Sequence, residues 1–584
     1  MSQYAAPLDD IRFALDIVAE LPRLAELPGL EQATPDLVGD VLTGAADLAG
    51  GVIAPLNVVG DREGCRLENG VVRTPEGWKR AYDAYVEGGW NALAFPEAIG
   101  GQALPRVLDI AVTEMWTSAS MAWALNPLLT VCAVEALERH GSAELKRLYL
   151  PKIVTGEWTA SMNLTEPQAG SDVGAMRTRS ARDGDRYRII GQKIFITYGE
   201  HDLTPNIVHM VLARSPDGPP GTAGLSLFLV PKFLVNSDGS LGARNDVKAV
   251  SLEHKLGVHA SPTCVMAYGD SDGAIGFLVG EENHGMECMF TMMNNARLQV
   301  GLQGLAIAER AYQHARDYAK TRVQGKPVTA TGPGPHAILH HPDVRRMLLQ
   351  MKARIAAMRA LVYYVAAMTD RALHHPDPDA RTRFQHRVDL LIPVVKAWCT
   401  DEGVRVASLG IQIHGGMGFI EETGAAQYYR DARIAPIYEG TNGIQASDLV
   451  GRKLLRDGGA AAATALLVEM RADAYDSAAL AAGVNALNQA TQWIVENGKD
   501  RARVFVSAAP YLELMGIVTG GWLLTREAKA AARRLEGGHG DAAFNRARLA
   551  TAKFYDAHIL AAAPSFLSAI ESSDAVLDFA LDSY

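Results

Sequence analysis

The chain has 584 residues, of which 48% are hydrophobic and 21% charged, which predicts a globular protein of several domains. Its formal net charge of −10 argues against an extended nucleic-acid-binding surface. Five scattered cysteines without CxxC spacing indicate thiols in a reducing compartment and no metal site. No basic, apolar leader opens the sequence, and no stretch approaches the roughly 18 consecutive apolar residues of a membrane span. We therefore expect a soluble, cytoplasmic protein.

The sequence pattern predicts helices in the first part of the chain. Between residues 11 and 158, apolar side chains recur at helical spacing, for example Val38, Val41, Leu42 and Ala45. The Gly/Pro-rich stretch 88–105 interrupts this pattern. A surface connection and a loop that lines a ligand pocket are equally compatible with its composition. The sequence thus predicts an N-terminal helical domain over residues 1–158.

A β domain is predicted over residues 159–285. Short runs rich in Ile, Val, Phe and Tyr occur there, separated by turn-forming residues, at 187–197, 207–214, 225–230, 263–268 and 275–279. Their spacing favours an antiparallel sheet, because they do not alternate with helices. No GxGxxG follows a strand, so the usual signature of a nicotinamide site is missing.

Long helical patterns return after residue 286. They predict a helical bundle over residues 286–456 and an alanine-rich helical extension over residues 457–584. From Ala461 onward the extension has 11 basic and 14 acidic residues, which does not suit a nucleic-acid arm. The predicted fold class is therefore α+β and multidomain, with four successive domains.

Two polar motifs fall in the β domain. The stretch MNLTEPQAGSDVGAM (162–176) offers the hydroxyls of Thr165 and Ser171 and the small Gly170. In GQKIFITYG (191–199), Phe195 and Thr197 point to one face if the segment is a strand. An aromatic plate beside a hydroxyl suits a flat heterocycle. Taken alone, each motif is also compatible with an ordinary polar loop or strand.

Two further motifs fall in the bundle. QIHGGMGF (412–419) contains adjacent glycines, Gly415 and Gly416, which permit close contact with a phosphate or a base. Arg297 and Arg322 are predicted on one long helix, and their 25-residue separation corresponds to roughly 37 Å. One arginine can then serve a catalytic centre while the other meets a phosphate elsewhere. Turn glycines and solvated arginines are the plain alternatives.

The turn RDARIAPIYEGTNGIQ (430–445) places the carboxylate of Glu439 between Tyr438 and the flexible pair Gly440 and Thr441. A glutamate on such a turn can act as a general base if its surroundings exclude water. A solvated surface glutamate is the alternative when the turn is considered alone.

Together these motifs resemble the acyl-CoA dehydrogenase family. LTEPQAGSD, FIT, the Arg297 segment, QIHGGMGF and IYEGTNGIQ occur in the family's order over residues 88–454. The length and the extra C-terminal helices are similar to a longer bacterial branch. The resemblance implies a flavoenzyme of fatty acid β-oxidation that binds FAD and an acyl-CoA thioester.

The resemblance also implies residue roles. Glu439 matches the family's catalytic base. FAD-binding roles fall on Met162, Leu164, Thr165, Gly170, Ser171, Phe195, Thr197, Arg322, Gln412, Gly415, Gly416, Thr441 and Gly443. Substrate-binding roles fall on Ser171, Asn294, Arg297 and Gly440. Arg322 and the 412–416 turn would meet FAD bound in a neighbouring subunit, which implies a homo-oligomer, with a dimer favoured.

Some positions depart from the family pattern. Relatives that carry the base on the bundle helix have it where this chain has Ala296, so Glu439 has no rival there. Asn294 replaces a frequent aspartate, and the segment 322–327 is shorter than the common form.

The implied reaction converts an acyl-CoA to its trans-2-enoyl-CoA, with electrons passing to an electron-transfer flavoprotein. An acyl-CoA oxidase that uses oxygen is an alternative that the sequence leaves open. A flavin-binding relative that contacts DNA in alkylation response is a third reading, which would call for a basic C-terminal domain. The length and type of the acyl group are not encoded in any motif.

Overall fold

The computed structural model describes residues 3–456 and 459–583. Its backbone divides into two compact units. Unit 1 contains residues 1–46, 105–118 and 297–584, and unit 2 contains residues 47–104 and 119–296. The division into four domains at residues 158, 285 and 456 stays a prediction, and the residues that follow the last of these boundaries, 457 and 458, lie outside the described part.

Helices dominate the first part of the chain, as predicted. They are α1 (Leu8–Ile17), α2 (Leu21–Leu24), α3 (Pro35–Leu48), α4 (Leu56–Glu63), α5 (Trp78–Glu87), α6 (Arg106–Ala119), α7 (Met121–His140) and α8 (Ala143–Val154). Two short strands, β1 (Arg66–Glu68) and β2 (Val71–Arg73), form a hairpin. Ser120 and Ser142 cap α7 and α8 by accepting hydrogen bonds from the Trp123 and Leu145 backbone N–H groups, at 3.4 and 3.2 Å.

The strands of the β domain follow. They are β3 (Thr159–Asn163), β4 (Arg179–Asp183), β5 (Arg186–Thr197), β6 (Ile207–Arg214), β7 (Leu225–Pro231), β8 (Phe233–Val235), β9 (Leu241–Arg244), β10 (Val247–Leu252), β11 (Thr263–Tyr268) and β12 (Ala274–Val279). The main sheet has the order β10-β11-β5-β12-β7-β6-β3, with β4 pairing with β5 and β6. Most pairs are antiparallel, as predicted.

Two pairings depart from the antiparallel pattern: β4 pairs parallel with β6 at one position, Arg179 opposite Arg214, and β3 runs parallel to β6 along its whole length. A parallel pair needs a crossover, and here the chain between the two strands makes β4 and β5 before returning. The sequence did not reveal β3 or β4 because TASMN and RSARD lack the β-branched and aromatic runs that mark the other strands.

Strands β6 and β7 form the buried centre of unit 2. Alternate side chains enter two different clusters: Met210 and Leu227 lie on one face, and Val211 and Phe228 on the other. Apolar residues of α7 and α8, such as Leu129 and Ile153, belong to the first cluster. The helices therefore cover one face of the sheet, and this packing fixes the strands on which the site residues lie.

Long helices make up the rest. They are α9 (Gly285–Thr321), α10 (Pro342–His374), α11 (Pro378–His414), α12 (Ala425–Ala432), α13 (Asn442–Asp448), α14 (Gly459–Asp473), α15 (Ala478–Glu496), α16 (Arg501–Val506), α17 (Ala508–Glu536), α18 (Ala542–His558), α19 (Phe566–Glu571) and α20 (Asp574–Leu577). A bundle and a further set of C-terminal helices are both present, as predicted.

Close packing fixes α11 within unit 1. Gly304 on α9 lies so near α11 that a Cβ would come within 2.1 Å of the Cys399 carbonyl oxygen, and Gly516 on α17 faces the ring of Trp398 in the same way. A buried ionic cluster crosses the bundle as well, with Arg359 at 2.6 Å from Glu114 and 2.9 Å from Glu309. Side chains on α11 are thus held in defined positions.

Within the described residues, no single helix is both long and apolar enough to cross a membrane. The bent pair Pro35–Ile53 and Leu56–Glu63 meets the criteria of length and composition only when its members are taken together.

Candidate functional site

The turn that carries Glu439 has an unusual backbone. It follows α12 and leads directly into α13, which Thr441 caps by accepting a hydrogen bond from the Ile444 N–H at 3.3 Å. Glu439 and Gly440 have φ angles of +55° and +83°, so two successive residues are left-handed. A left-handed glutamate is strained, and such strain collects at functional sites.

The carboxylate and the backbone N–H of Glu439 have no hydrogen-bond partner in the described part of the chain. Its carbonyl oxygen accepts a hydrogen bond from Gln445 at 3.3 Å. The side chain keeps a partly exposed face, yet the protein around it raises its pKa to about 7, because desolvation outweighs the opposing effect of Lys396 and Arg297. A carboxyl with this pKa can accept a proton near neutral pH.

Lys396 on α11 lies beside the turn and is fully buried. Its ammonium donates to Asn442 Oδ1 at 2.9 Å. Asn442 in turn donates to the Ala397 carbonyl oxygen and to Thr400 Oγ1, each at 3.1 Å, which fixes the orientation of its amide. Burial lowers the pKa of Lys396 to about 7, while Glu439 and Asp401 act in the opposite direction.

Arg297 supplies a second cation near Glu439. It is 4% exposed, lies 3.3 Å from Asp448, and burial lowers its pKa. Its Nε is buried without a hydrogen-bond partner in the described part of the chain, and so is Gln445 Oε1. Unpaired buried polar atoms are rare in folded proteins and call for an explanation such as a missing ligand. The surroundings of Glu439 therefore have the character of a polar binding site.

Sequence reasoning missed Lys396, Asn442 and Gln445. A signal for Lys396 was present, because a single lysine interrupts the apolar run LLIPVVKAWC. A lysine at such a position is rarely buried unless it has a partner. Nothing in the sequence indicated that its partner is a side chain 46 residues later.

In unit 2, the loop after β3 is tied to β5. Lys193 donates to the Leu164 carbonyl oxygen at 2.9 Å, and the Ile194 N–H donates to the Thr165 carbonyl oxygen at 2.9 Å. Lys193 also forms a buried ion pair with Glu166 at 2.9 Å. The structure thus brings the predicted FAD residues Leu164 and Thr165 next to the strand that carries Phe195 and Thr197.

Phe195 lies at an irregularity of β5. The pairing with β11 shifts between Lys193 and Ile196, and Phe195 has a φ of +61°. Its ring is 57% exposed, whereas Ile196 is buried and Thr197 is half-buried. Phe195 and Thr197 therefore lie on the more open side of the strand. An exposed aromatic ring on a strained backbone, beside a hydroxyl, is chemically suited to a flat heterocycle such as the predicted isoalloxazine.

The other predicted residues of unit 2 have less definite surroundings. Met162 is a half-buried residue of β3, while Gly170 and Ser171 lie in the exposed loop that follows. Asn294 is exposed on α9, and Ala296, at the alternative position for a base, is fully buried.

At one end of the bundle, Arg322 follows α9 one helical turn beyond Tyr318, and Tyr318 contacts the segment 412–416, which comprises the end of α11, with the exposed Gln412, and the two glycines after it. The ring of Tyr318 stacks on His414 with centroids 4.4 Å apart, and the Arg322 N–H donates to the Tyr318 carbonyl oxygen at 2.8 Å. Gly415 has a φ of +61°, and no atom lies within 4 Å of a Cβ placed on Gly415 or Gly416. Open space beside the two glycines, and an arginine at the end of α9, are chemically suited to the predicted phosphate or adenosine group.

The prediction that Arg297 and Arg322 share one helix was wrong by a single residue, because α9 ends at Thr321. The carbonyl of Arg322 accepts a hydrogen bond from the Ile338 N–H at 2.8 Å, and Val323 pairs with Ala337. These contacts with the returning loop draw the backbone out of the helix.

Thr441 and Gly443 line an open cleft of about 520 Å³ in unit 1. Arg405 and Arg433 also line it, on the side of α11 and of the segment after α12. Both predicted FAD residues are therefore accessible, on the same turn as Glu439.

Models of known protein families match most of the chain. Family models match residues 67–157 (acyl-CoA dehydrogenase, N-terminal domain), 161–271 (middle domain), 283–455 (C-terminal domain) and 461–579 (acetyl-CoA dehydrogenase C-terminal like). The chain therefore belongs to the acyl-CoA dehydrogenase family, the class of FAD-dependent oxidoreductases that dehydrogenate acyl-CoA thioesters.

Its relatives include members of the longer branch. The chain is 48% identical over 577 residues to 3-methylmercaptopropionyl-CoA dehydrogenase of Ruegeria pomeroyi, covering 95% of this chain and 96% of the relative. It is 36% identical to a butyryl-CoA dehydrogenase of Syntrophomonas wolfei, covering 90% and 89%. The fold is similar to that of an acyl-CoA dehydrogenase from Bacillus anthracis solved with FAD, with 18% identity, a TM-score of 0.73 and coverage of 95% and 90%.

Proposed function

We propose that Glu439 is the catalytic base of this acyl-CoA dehydrogenase and removes the α-proton of the thioester, so that the product is the trans-2-enoyl-CoA. The observation that carries the proposal is the unpaired, desolvated carboxylate of Glu439 on its strained turn, with a pKa of about 7. A general base works best when its pKa lies near the working pH.

The unpaired N–H of Glu439 supports a second role for the same residue. An α-proton of a thioester is far too weakly acidic for a carboxylate unless the carbonyl oxygen is stabilised as negative charge develops. The backbone N–H of Glu439 has no partner in the described structure and can donate to that oxygen. One well-placed donor of this kind contributes about 3–4 kcal/mol to transition-state stabilisation.

Lys396 and Arg297 set the charge state of the base in this proposal. Desolvation alone would hold Glu439 protonated, and the two cations partly offset that effect, which leaves the pKa at about 7. Asn442 keeps Lys396 in place through its hydrogen bond.

FAD, when bound, supplies the acceptor for the hydride that leaves the β-carbon. In this chain Leu164, Thr165, Phe195 and Thr197 would hold the isoalloxazine, together with Met162 on β3 and with Gly170 and Ser171 in the loop after β3. Arg322, Gln412, Gly415 and Gly416 would hold the adenosine half in a neighbouring subunit of a homodimer, and Thr441 and Gly443 would touch FAD near Glu439. For the thioester and its pantetheine arm we propose Ser171, Asn294, Arg297 and Gly440.

The decisive variant is Glu439→Gln, which keeps the size of the side chain and removes its basicity. We expect the anaerobic rate of flavin bleaching by acyl-CoA to fall by roughly 10²–10⁴-fold, the usual contribution of a general base. Glu422→Gln, an exposed glutamate elsewhere in unit 1, is the matched control and should react at the wild-type rate. Bleaching of the Glu439 variant at the wild-type rate would remove Glu439 from this role.

The substrate and the electron acceptor need separate measurements. Because of the similarity to 3-methylmercaptopropionyl-CoA dehydrogenase, we propose a sulfur-containing acyl-CoA as the first substrate to test, against straight and branched thioesters of similar length. We further propose an electron-transfer flavoprotein as the acceptor. Peroxide formed in air in an amount equal to the product would instead identify an acyl-CoA oxidase.

A further inference from the structure

A cleft of about 480 Å³ lies in unit 1, apart from the turn that carries Glu439. We call it the arginine cleft; among the described residues its charged lining consists of Arg371, Arg383, Arg387, Arg526, Glu20 and Glu469. It sits where α10 ends and α11 begins. Arg387 lies nine residues before Lys396 on α11, a separation of about 14 Å at 1.5 Å of rise per residue.

The arginine cleft has too few carboxylates for its guanidinium groups. Four arginines and two glutamates line it; Arg387 pairs with Glu469 at 2.7 Å, and Arg383 pairs with Asp377, outside the lining, at 3.7 Å. Glu20 lies 2.7 Å from Arg371 and 3.7 Å from Arg526, and it also pairs with Arg23 at 3.1 Å. One carboxylate thus serves three arginines, so positive charge remains that an additional anion would neutralise.

Two further observations point to a ligand. Arg371 Nε is buried without a hydrogen-bond partner in the described part of the chain, and its guanidinium lies over the ring of the lining residue Phe384, 5.8 Å from the ring centroid. Buried polar atoms are seldom left without a hydrogen bond. Glu20 has a φ of +54°, a strained conformation of the kind that collects at ligand sites. Both features lie on the pair Arg371–Glu20.

The remainder of the lining is apolar. Val18 and Met368 are buried there, the ring of Tyr364 lies beside them, and α14 contributes a face of small residues, Ala461, Ala462 and Ala465. The volume falls within the roughly 300–1,000 Å³ range of small-molecule sites. A bare inorganic anion would leave most of this surface unused.

We propose that the arginine cleft binds a small organic anion, with its carboxylate or phosphate held by Arg371 and Arg526 and its apolar body on the alanine face of α14. Ligands that share this chemistry include fatty-acid carboxylates and phosphate monoesters. The site is distinct from the thioester site and does not depend on the role of Glu439.

The proposal is tested by calorimetric titration of the full-length holoenzyme with octanoate, octyl phosphate, inorganic phosphate and the neutral octanol. We expect saturable binding of octanoate, octyl phosphate or both, and the one that binds more tightly identifies the head group. Binding should weaken with salt, since charge attraction contributes to it. Octanol binding as tightly as the anions, inorganic phosphate matching octyl phosphate, or no saturable binding would each overturn the proposal.

Variants of opposite expected effect locate the site. Arg526→Met should weaken binding by roughly tenfold or more, the value of one charge-assisted hydrogen bond, whereas Arg533→Met, seven residues later on α17 and outside the cleft, should have no effect. Glu20→Gln frees Arg371 and Arg526 from their shared carboxylate and should tighten binding. A variant that merely damages the fold cannot produce tighter binding, so equal affinities in all three proteins would place the ligand elsewhere.

Discussion

Glu166 and Glu439 each lie near a different buried lysine, yet their pKa values are shifted in opposite directions. In unit 2, Glu166 forms an ion pair with Lys193 and accepts hydrogen bonds from the Arg177 and Thr178 N–H groups at 2.6 and 3.0 Å. These contacts lower its pKa to about 2. In unit 1, Glu439 has Lys396 nearby but no direct partner in the described residues, and desolvation raises its pKa to about 7.

The difference between the pairs is one of contact, not of residue type. A carboxylate whose oxygens all accept hydrogen bonds stabilises the fold and has a low proton affinity. A carboxylate that is desolvated and has no hydrogen-bond donors has a high proton affinity. Glu166 ties the loop after β3 to β5, which is a structural task. Glu439 is left ready to accept a proton.

The largest expected effect is on stability, from breaking the satisfied pair. Glu166→Gln removes the carboxylate partner of buried Lys193, whose pKa burial already lowers to about 8, so the lysine must either keep an uncompensated charge or lose its proton. The free energy of unfolding in urea titrations at pH 8 should fall by about 3–5 kcal/mol. Glu439→Gln at the same pH should be at least as stable as the wild type, since it removes a desolvated charge. Equal losses in the two variants would contradict the contrast between the pairs.

The two carboxyls should also respond to pH with opposite signs. Glu166 has a folded pKa below its ordinary 4.5, so its stabilisation is complete above about pH 4.5 and is lost as the pH falls towards 2. Glu439 has a raised folded pKa, so its contribution is complete below about pH 4.5 and is lost as the pH rises through 7. Unfolding curves of each Gln variant, compared with wild type between pH 2 and pH 8, measure both signs.

The rate of catalysis should depend on the protonation state of Glu439. Under the proposed function, the rate of flavin bleaching rises about tenfold per pH unit below pH 7 and levels off above it, because only the carboxylate accepts a proton. Lys396→Met removes a cation and should move the rising limb of this pH–rate profile to higher pH by roughly one unit. Lys453→Met, a lysine paired with Asp389 at 3.5 Å, is the control and should leave the limb in place. An unmoved limb in a folded Lys396→Met protein would show that Lys396 does not tune Glu439.

The smallest effect concerns the open side of β5. Phe195→Ala should weaken FAD binding by several-fold, about the value of one aromatic contact, since the exposed ring packs on little of the protein itself. The unfolding free energy of the apoprotein should change by less than about 1 kcal/mol. Tyr475→Ala, at another exposed ring, serves as the control in fluorescence titrations with FAD. Unchanged FAD affinity in Phe195→Ala would argue against this residue as part of the flavin site.

Much of the fold could be predicted because the spacing of apolar residues in the sequence matches the side chains that are buried in the strands and helices. The runs at 207–214 and 263–268 coincide with β6 and β11, and the periodic apolar residues of the bundle mark α10 and α11. β3 and β4 escaped detection because their side chains are small or charged. The partner of β3 is β6, which is distant in the chain and which no local pattern encodes, whereas β4 forms a hairpin with the next strand, β5.

Only part of the candidate site could be predicted from the sequence. Motif order led to Glu439, and the turn did prove to lie between two helices. Lys396 could not be assigned, because its proximity to Glu439 depends on how α11 packs against the turn. The shift of register at Phe195 was equally hidden, since a β-bulge adds one residue without changing the composition of a strand.

The two left-handed residues of the 439–440 turn have a consequence for protein engineering. The main chain there is held by Asn442, by the cap of α13 and by Gln445, and nothing that holds it uses the Glu439 carboxylate. The side chain at position 439 can therefore be replaced at little cost to the stability of the fold. Asparagine and glycine tolerate this backbone best, and an aspartate, cysteine or tyrosine placed there would present a different proton acceptor to the same substrate.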